Sequence, residues 1–448
     1  MRTGSCFVTS LRSLLCAALC VGAAACGARN GLESFGTEGA GGEGEAGSTS
    51  GATTSSSGGG GVGGAGGGAP ACVELRWAGE PVFLSADFGG EFEDPKLIRV
   101  GSTEWALVVT SRTGDSRLVA SALIASPFAS WPPELSALDA HDATNAPYAT
   151  SAGEPRRFAY TTSQPDGVAG RRLMQAEPGV NGASGSTYDR PKQPALALAR
   201  SPQGRFAAAR GAASTGVTVD FVDLSPAGPT VTSSAPLGCA DRTQFAALVP
   251  SPDGAFLLAS TTDESLESCS GTPAGIPRAV HLHELRPGES TPRAAIALES
   301  EVRALSLVPR PGGSILGLAS MNRFDQMIHS VQLVDPAGQL VATPWTLVTG
   351  EHAAQHALAP LYEGFAFATV DAPSGASGAV ELFVAPDALD FATSTGRSTA
   401  ELGLITSSPP TLGTLDGGAS ILVAFVDASS LVPTLVVLRA DCAPLGGD

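Results

Sequence analysis

One unit recurs down this chain: an apolar run, a turn bearing glycine, and a second apolar run. It is plainest in LVPSPDGAFLLAS, Leu248 to Ser260, and in the earlier ALALARSPQGRFAAARG. Five further segments carry it: PKLIRVGSTEWALVVTS, PYATSAGEPRRFAYTTS, RALSLVPRPGGSILGLAS, HALAPLYEGFAFATV and PTLGTLDGGASILVAFV. The turn glycines are Gly101, Gly153, Gly204, Gly254, Gly313, Gly364 and Gly418, separated by steps of 52, 51, 50, 59, 51 and 54 residues. Chance does not produce six such steps.

A period near fifty with two hairpins per unit is the signature of a β-propeller, in which four-stranded blades surround a channel. The first apolar run is strand a, nearest the axis, and the second is strand b. A third run follows as strand c in VTVDFVDL, AVHLHEL, MIHSVQLV and AVELFVA. The turns SPAGP, RPGES and DPAGQ lead on to strand d. Strand a is rich in alanine (ALALA, FAALV, ALSLV), which suits blades that crowd toward an axis. With 55 Gly and 33 Pro, the chain favours many short strands over long helices. The expected fold class is therefore all-β: a seven-bladed β-propeller of four-stranded antiparallel blades across residues 72–448. The seventh unit ends at its third strand, PTLVVLRAD, and the spare run VELRWAGEPVFL before the first unit is expected to close the ring.

The segment Ser251-Pro252-Asp253-Gly254, continuing AFLLAS, resembles the SPDG-x-x-L-x-x-x-S core of WD-repeat-like propellers of TolB-type envelope proteins. Ser201-Pro202-Gln203-Gly204 matches it in part, and no Gly-His or Trp-Asp signature occurs. That resemblance implies a binding platform rather than a catalyst, and fold alone does not settle function.

The N-terminus has the parts of an export signal. Arg2 and Arg12 precede an apolar stretch from Leu14 to Ala25, too short to span a bilayer comfortably. Ala23-Ala-Ala-Cys26 resembles a bacterial lipoprotein signal, which implies that Cys26 carries lipid after cleavage of residues 1–25. Gly27 rather than Asp after that cysteine points to an outer-membrane anchor in the cell envelope. Residues 26–71 then form the lipid anchor and a Gly/Ser-rich linker with too little apolar surface to fold. Such a coil reaches about 35–40 Å.

Of eight cysteines, Cys6, Cys16 and Cys20 leave with the signal and Cys26 takes lipid. The other four allow three pairings, and export favours disulfides. The repeat selects among them. Cys239 precedes the fourth strand a and Cys269 follows the same unit's strand b, so both lie at one end of a blade. Cys72 opens the closing strand and Cys442 follows the last strand c, which makes them neighbours as well.

A net charge of −17 argues against a nucleic-acid partner. No nucleophile elbow, phosphate loop, HExxH, CxxC, EF-hand or dinucleotide motif occurs, so no cofactor or metal is assigned. His352 and His356 have helical ligand spacing but precede a strand, while His281 and His283 alternate on one strand face. Glu91, Glu93 and Asp94 read as a solvated acidic loop, and Trp105 as packing between blades. Polar or aromatic residues stand at or near six strand-a starts: Lys96, Tyr148, Gln193, Gln244, Arg303 and His356. These starts surround one channel mouth, where they would bind an envelope protein or glycan. The expected function is that of a lipid-anchored, monomeric, non-catalytic binding or scaffold module. The alternative is a propeller hydrolase or lyase acting on a glycan or lactone at the mouth.

Overall fold

The structure is a computed structural model. It describes residues 72–443 except 73, 85–89, 114–115, 126–134, 142–148, 152–155, 164–170, 189–194, 213–215, 226–227, 238–244, 263–278, 299–300, 323, 342–343, 350–355, 362–363, 371–375, 387–394, 407 and 430–432. The signal, Cys26, the linker, Cys239 and Cys269 lie outside the described residues.

The SPxG echo is one turn made repeatedly. In blade 4 the Gly254 amide donates to the Ser251 carbonyl at 3.1 Å, and the Ser251 amide to the Ala255 carbonyl at 2.8 Å. In blade 3 the same bonds join Gly204 to Ser201 and Ser201 to Arg205, at 2.9 and 2.8 Å. Proline sets the first turn angle, and glycine takes the positive φ, +93° at Gly204 and +87° at Gly254. The flanking runs are thereby returned antiparallel.

Each unit becomes one antiparallel sheet, seven in all: six have four strands, and in the seventh two short strands share the outer edge. Blade 4, for example, runs a Ala246–Pro250, b Phe256–Thr262, c Ala279–Arg286 and d Glu289–Ala297. Strands a of blades 1 to 7 begin at Glu91, Ala149, Ala195, Ala246, Glu301, His356 and Thr411. Each strand a packs beside that of the next blade, and the seventh packs beside the first. The fold is the seven-bladed propeller expected from the period.

Blade faces stack on one another, so inner strands are covered on both sides and read as unbroken apolar runs. Gly364–Val370 and Ser420–Asp427 are buried at every residue, whereas the outer strand Glu289–Ala297 is half-buried to exposed throughout. A buried apolar cluster bridges every neighbouring pair of blades. Each fully buried Leu or Phe in them contributes about 1.5–3 kcal/mol. At the joint of blades 7 and 1, Trp105 is buried against Gly413, where an added Cβ would lie 2.9 Å from the indole. Trp105 thus packs between blades, as the sequence suggested.

Blade 7 comprises Thr411–Leu415, Ser420–Asp427, Thr434–Ala443 and the N-terminal segment. The closing run forms two strands rather than one, Glu74–Trp77 and Val82–Leu84, both antiparallel to Thr434–Ala443. Gly79 at φ +81° and Pro81 interrupt them, because proline cannot donate to the ladder. A disulfide joins Cys72 to Cys442.

Candidate functional site

The two ends of the ring differ. At the lower end every a–b connection is six residues or fewer, and the c–d connections reach ten, at 126–135 and 335–344. At the upper end, where strands a begin, lie the three longest connections between strands: 234–245, 263–278 and 399–410. One of these leads into blade 4 and another joins its strands b and c. Long connections on a rigid ring are where binding residues tend to be carried.

Of the six residues expected around the upper mouth, Tyr148, Gln193 and Gln244 lie outside the described residues. Lys96 sits beyond an irregularity in strand a of blade 1 and is buried. Arg303 falls at a similar irregularity between Val302 and Ala304, and its guanidinium meets the Glu301 carboxylate at 2.9 Å. Blade 3 has a third, between Ala195 and Ala197. Such bulges re-aim side chains and gather at rims and next to functional sites.

His356 is the first residue of its strand and is completely buried between blades 5 and 6. Its Nε2 is 2.8 Å from Ser306 Oγ, and its ring stacks on Phe367 at 5.7 Å. The buried His329 ring meets it edge-on at 5.7 Å. Burial, aided by His329, pushes the His356 pKa down to about 3. The imidazole is therefore neutral and acts as a joint between blades. Gly317 makes room for it, since a Cβ there would come 2.4 Å from Ser306 Oγ and 2.9 Å from His356 Nε2. Sequence reasoning did not single out Ser306 or His329. Ser306 had a signal, a polar residue inside the otherwise apolar run ALSLV, whereas His329 stands in MIHSVQLV beside Ser330 and near Gln332 and had none.

The other sequence candidates are also placed. His281 and His283 stand side by side on strand c of blade 4, with ring centres 6.2 Å apart. Glu93 meets Arg112 at 3.4 Å and Arg117 at 3.2 Å. His352 lies outside the described residues. Among the described residues, no group of three or more His, Cys, Asp or Glu could hold a metal ion.

At the lower end the turns of blades 3 to 5 enclose a groove of about 280 Å³. Pro202, Pro250, Pro252, Pro309, Pro311 and Pro336 contribute to its wall. Pro202, Pro252 and Pro311 stand in the a–b turns, Pro250 and Pro309 at the ends of strands a, and Pro336 in the c–d turn of blade 5.

No protein-family profile matches the chain. No curated protein sequence matches it either. Solved structures with similar folds include a protein of unknown function from Dyadobacter fermentans, 12% identical with TM-score 0.47, covering 82% of this chain and 99% of that one. Another is a protein from Lactobacillus plantarum, 13% identical with TM-score 0.42, covering 68% of this chain and 82% of that one. A prolyl endopeptidase structure is 12% identical with TM-score 0.43; the alignment covers 79% of this chain and 50% of that protein.

Proposed function

We propose that this chain is an exported, lipid-anchored propeller that binds an envelope protein or glycan through its upper end and performs no catalysis itself. The reading is supported chiefly by the collection of the three longest connections at that end. Cys72, where the N-terminal segment joins the ring, is bonded beside the a–b turn of blade 7: Cys442 Sγ approaches the Gly418 carbonyl at 3.6 Å. A tether from Cys26 would therefore pull on the lower end and leave the upper end facing away from the membrane. The buried Ser306–His356 contact favours a structural role over hydrolysis, because no substrate reaches it in this conformation.

Two measurements test this reading. Intact mass of membrane-extracted protein should show cleavage before Cys26 and added lipid; an unmodified Cys26 overturns the anchor. A photo-crosslinker placed in 263–278 should capture a defined envelope component in living cells, whereas one at 226–227 should not. Equal capture from both places, or from neither, overturns binding at the upper end.

A further inference from the structure

We propose that His281 and His283 form a binding site for a late first-row divalent transition-metal ion on the outer part of blade 4. The site goes beyond the binding role proposed above and does not depend on it. Residues two apart on a strand project from the same face, so their side chains share one environment by construction. Here the two rings lie 6.2 Å apart and are inclined by 34°. With metal–nitrogen bonds of about 2.0–2.1 Å, and a ring centre about 1.1 Å behind each nitrogen, two imidazoles at adjacent positions of one ion have centres about 4.5–5 Å apart. The pair stands at least about 1 Å wider than that, a gap that turning the two half-buried rings about their side-chain torsions closes.

The surroundings favour ligation over a merely solvated pair. His281 pairs across the sheet with Ser260 and Ala295, and His283 with Leu258 and Pro292, so no cation directly faces either ring from the adjoining strands. Glu284, the nearest carboxylate along the strand, is engaged by Arg286 and Arg293. Both histidines are half-buried, which leaves coordination positions for water. Ser290 Oγ lies 3.3 Å from His283 Nδ1. That contact occupies one ring nitrogen and leaves Nε2 for an ion, as outer partners of metal-bound histidines commonly do.

Two imidazoles with water suit Cu²⁺ best among the common ions, followed by Zn²⁺ and Ni²⁺. Water completes the shell.

The test is Cu²⁺ titration of the whole exported chain, followed by calorimetry and electron paramagnetic resonance. The wild type should bind one ion with two nitrogen ligands. His281→Ala and His283→Ala should each weaken binding about tenfold or more, and the double variant should lose the two-nitrogen signal. Ser290→Ala should weaken binding less. Thermal midpoints should match the wild type, because the pair stands outside the core. A two-nitrogen Cu²⁺ signal that persists in the double variant, or no binding by the wild type at micromolar Cu²⁺, overturns the proposal.

Discussion

Cys72 and Cys442, 370 residues apart in sequence, are bonded with their Cα atoms 5.2 Å apart, and the bond fastens the two ends of the ring to each other. Residue Leu75 sits opposite Cys442 in the ladder, so the cross-link continues a seam that hydrogen bonds already hold. Arg397 of blade 6 strengthens it by donating from Nε to the Leu75 carbonyl at 2.8 Å.

Replacing both cysteines by alanine should lower the thermal midpoint and expose the seam to protease. The chain-entropy treatment gives about 6 kcal/mol for a loop this long. Residual structure in the denatured chain reduces the realised value, and about 2–5 kcal/mol is expected. Thermal melts and limited proteolysis under oxidising conditions provide the check; an unchanged midpoint would show that the seam is held by its ladder alone.

Acid should loosen the joint between blades 5 and 6. The His356 pKa is about 3 in the folded chain and near the ordinary 6.5 when unfolded, so the unfolded state takes up a proton first. The stability from the neutral ring is complete above about pH 6.5 and is lost progressively as pH falls toward 3. The loss is up to about 1.4 kcal/mol per pH unit for this one group. Urea melts between pH 7 and 4 should show a shallower decline for His356→Leu than for the wild type. Parallel declines in the two would refute the assignment.

The approach of Trp105 to Gly413 makes that glycine intolerant of a side chain. Gly413→Ala should cost about 1–3 kcal/mol by overpacking, and Trp105→Ala about 3–5 kcal/mol by leaving a cavity. Because the two sites touch, the double variant should cost less than the two single changes added together. Strict additivity in denaturant titrations would mean that the joint repacks elsewhere.

Cys239 and Cys269 belong to the two connections flanking strands a and b of blade 4 and are expected to be bonded. The loop would contribute about 3–4 kcal/mol by the same entropy treatment. Peptide mapping without reduction should recover the linkage, and two alkylatable thiols would contradict it.

The seven blades were legible because their signals are local. A turn such as Ser251-Pro252-Asp253-Gly254 dictates its own hairpin, and the covered inner strands must be apolar on both faces. Outer strands such as Ser184–Tyr188 and Thr395–Ser398 escaped, since a half-exposed edge needs no apolar run. The second blade was the faintest unit, and its strand a is only Ala149–Ser151. The Ser306–His356 contact was hidden for another reason: it joins residues 50 apart and exists only once two blades stack. Nothing in the spacing distinguished a histidine aimed at the mouth from one sealed beneath it.

The borrowed outer strand of blade 7 also imposes an order on synthesis. Residues Glu74–Leu84 leave the ribosome before any of the seven repeat units but find their partner only when Thr434–Ala443 has been made. Blades 1 to 6 are contiguous in the chain and can form as they emerge, whereas the ring cannot close until Thr434–Ala443 has been made. A nascent chain that stops short keeps an unpaired strand edge in view, the kind of surface that chaperones and proteases engage. Closure thus reports that synthesis has passed Ala443, and a chain cut short of that strand leaves the edge exposed.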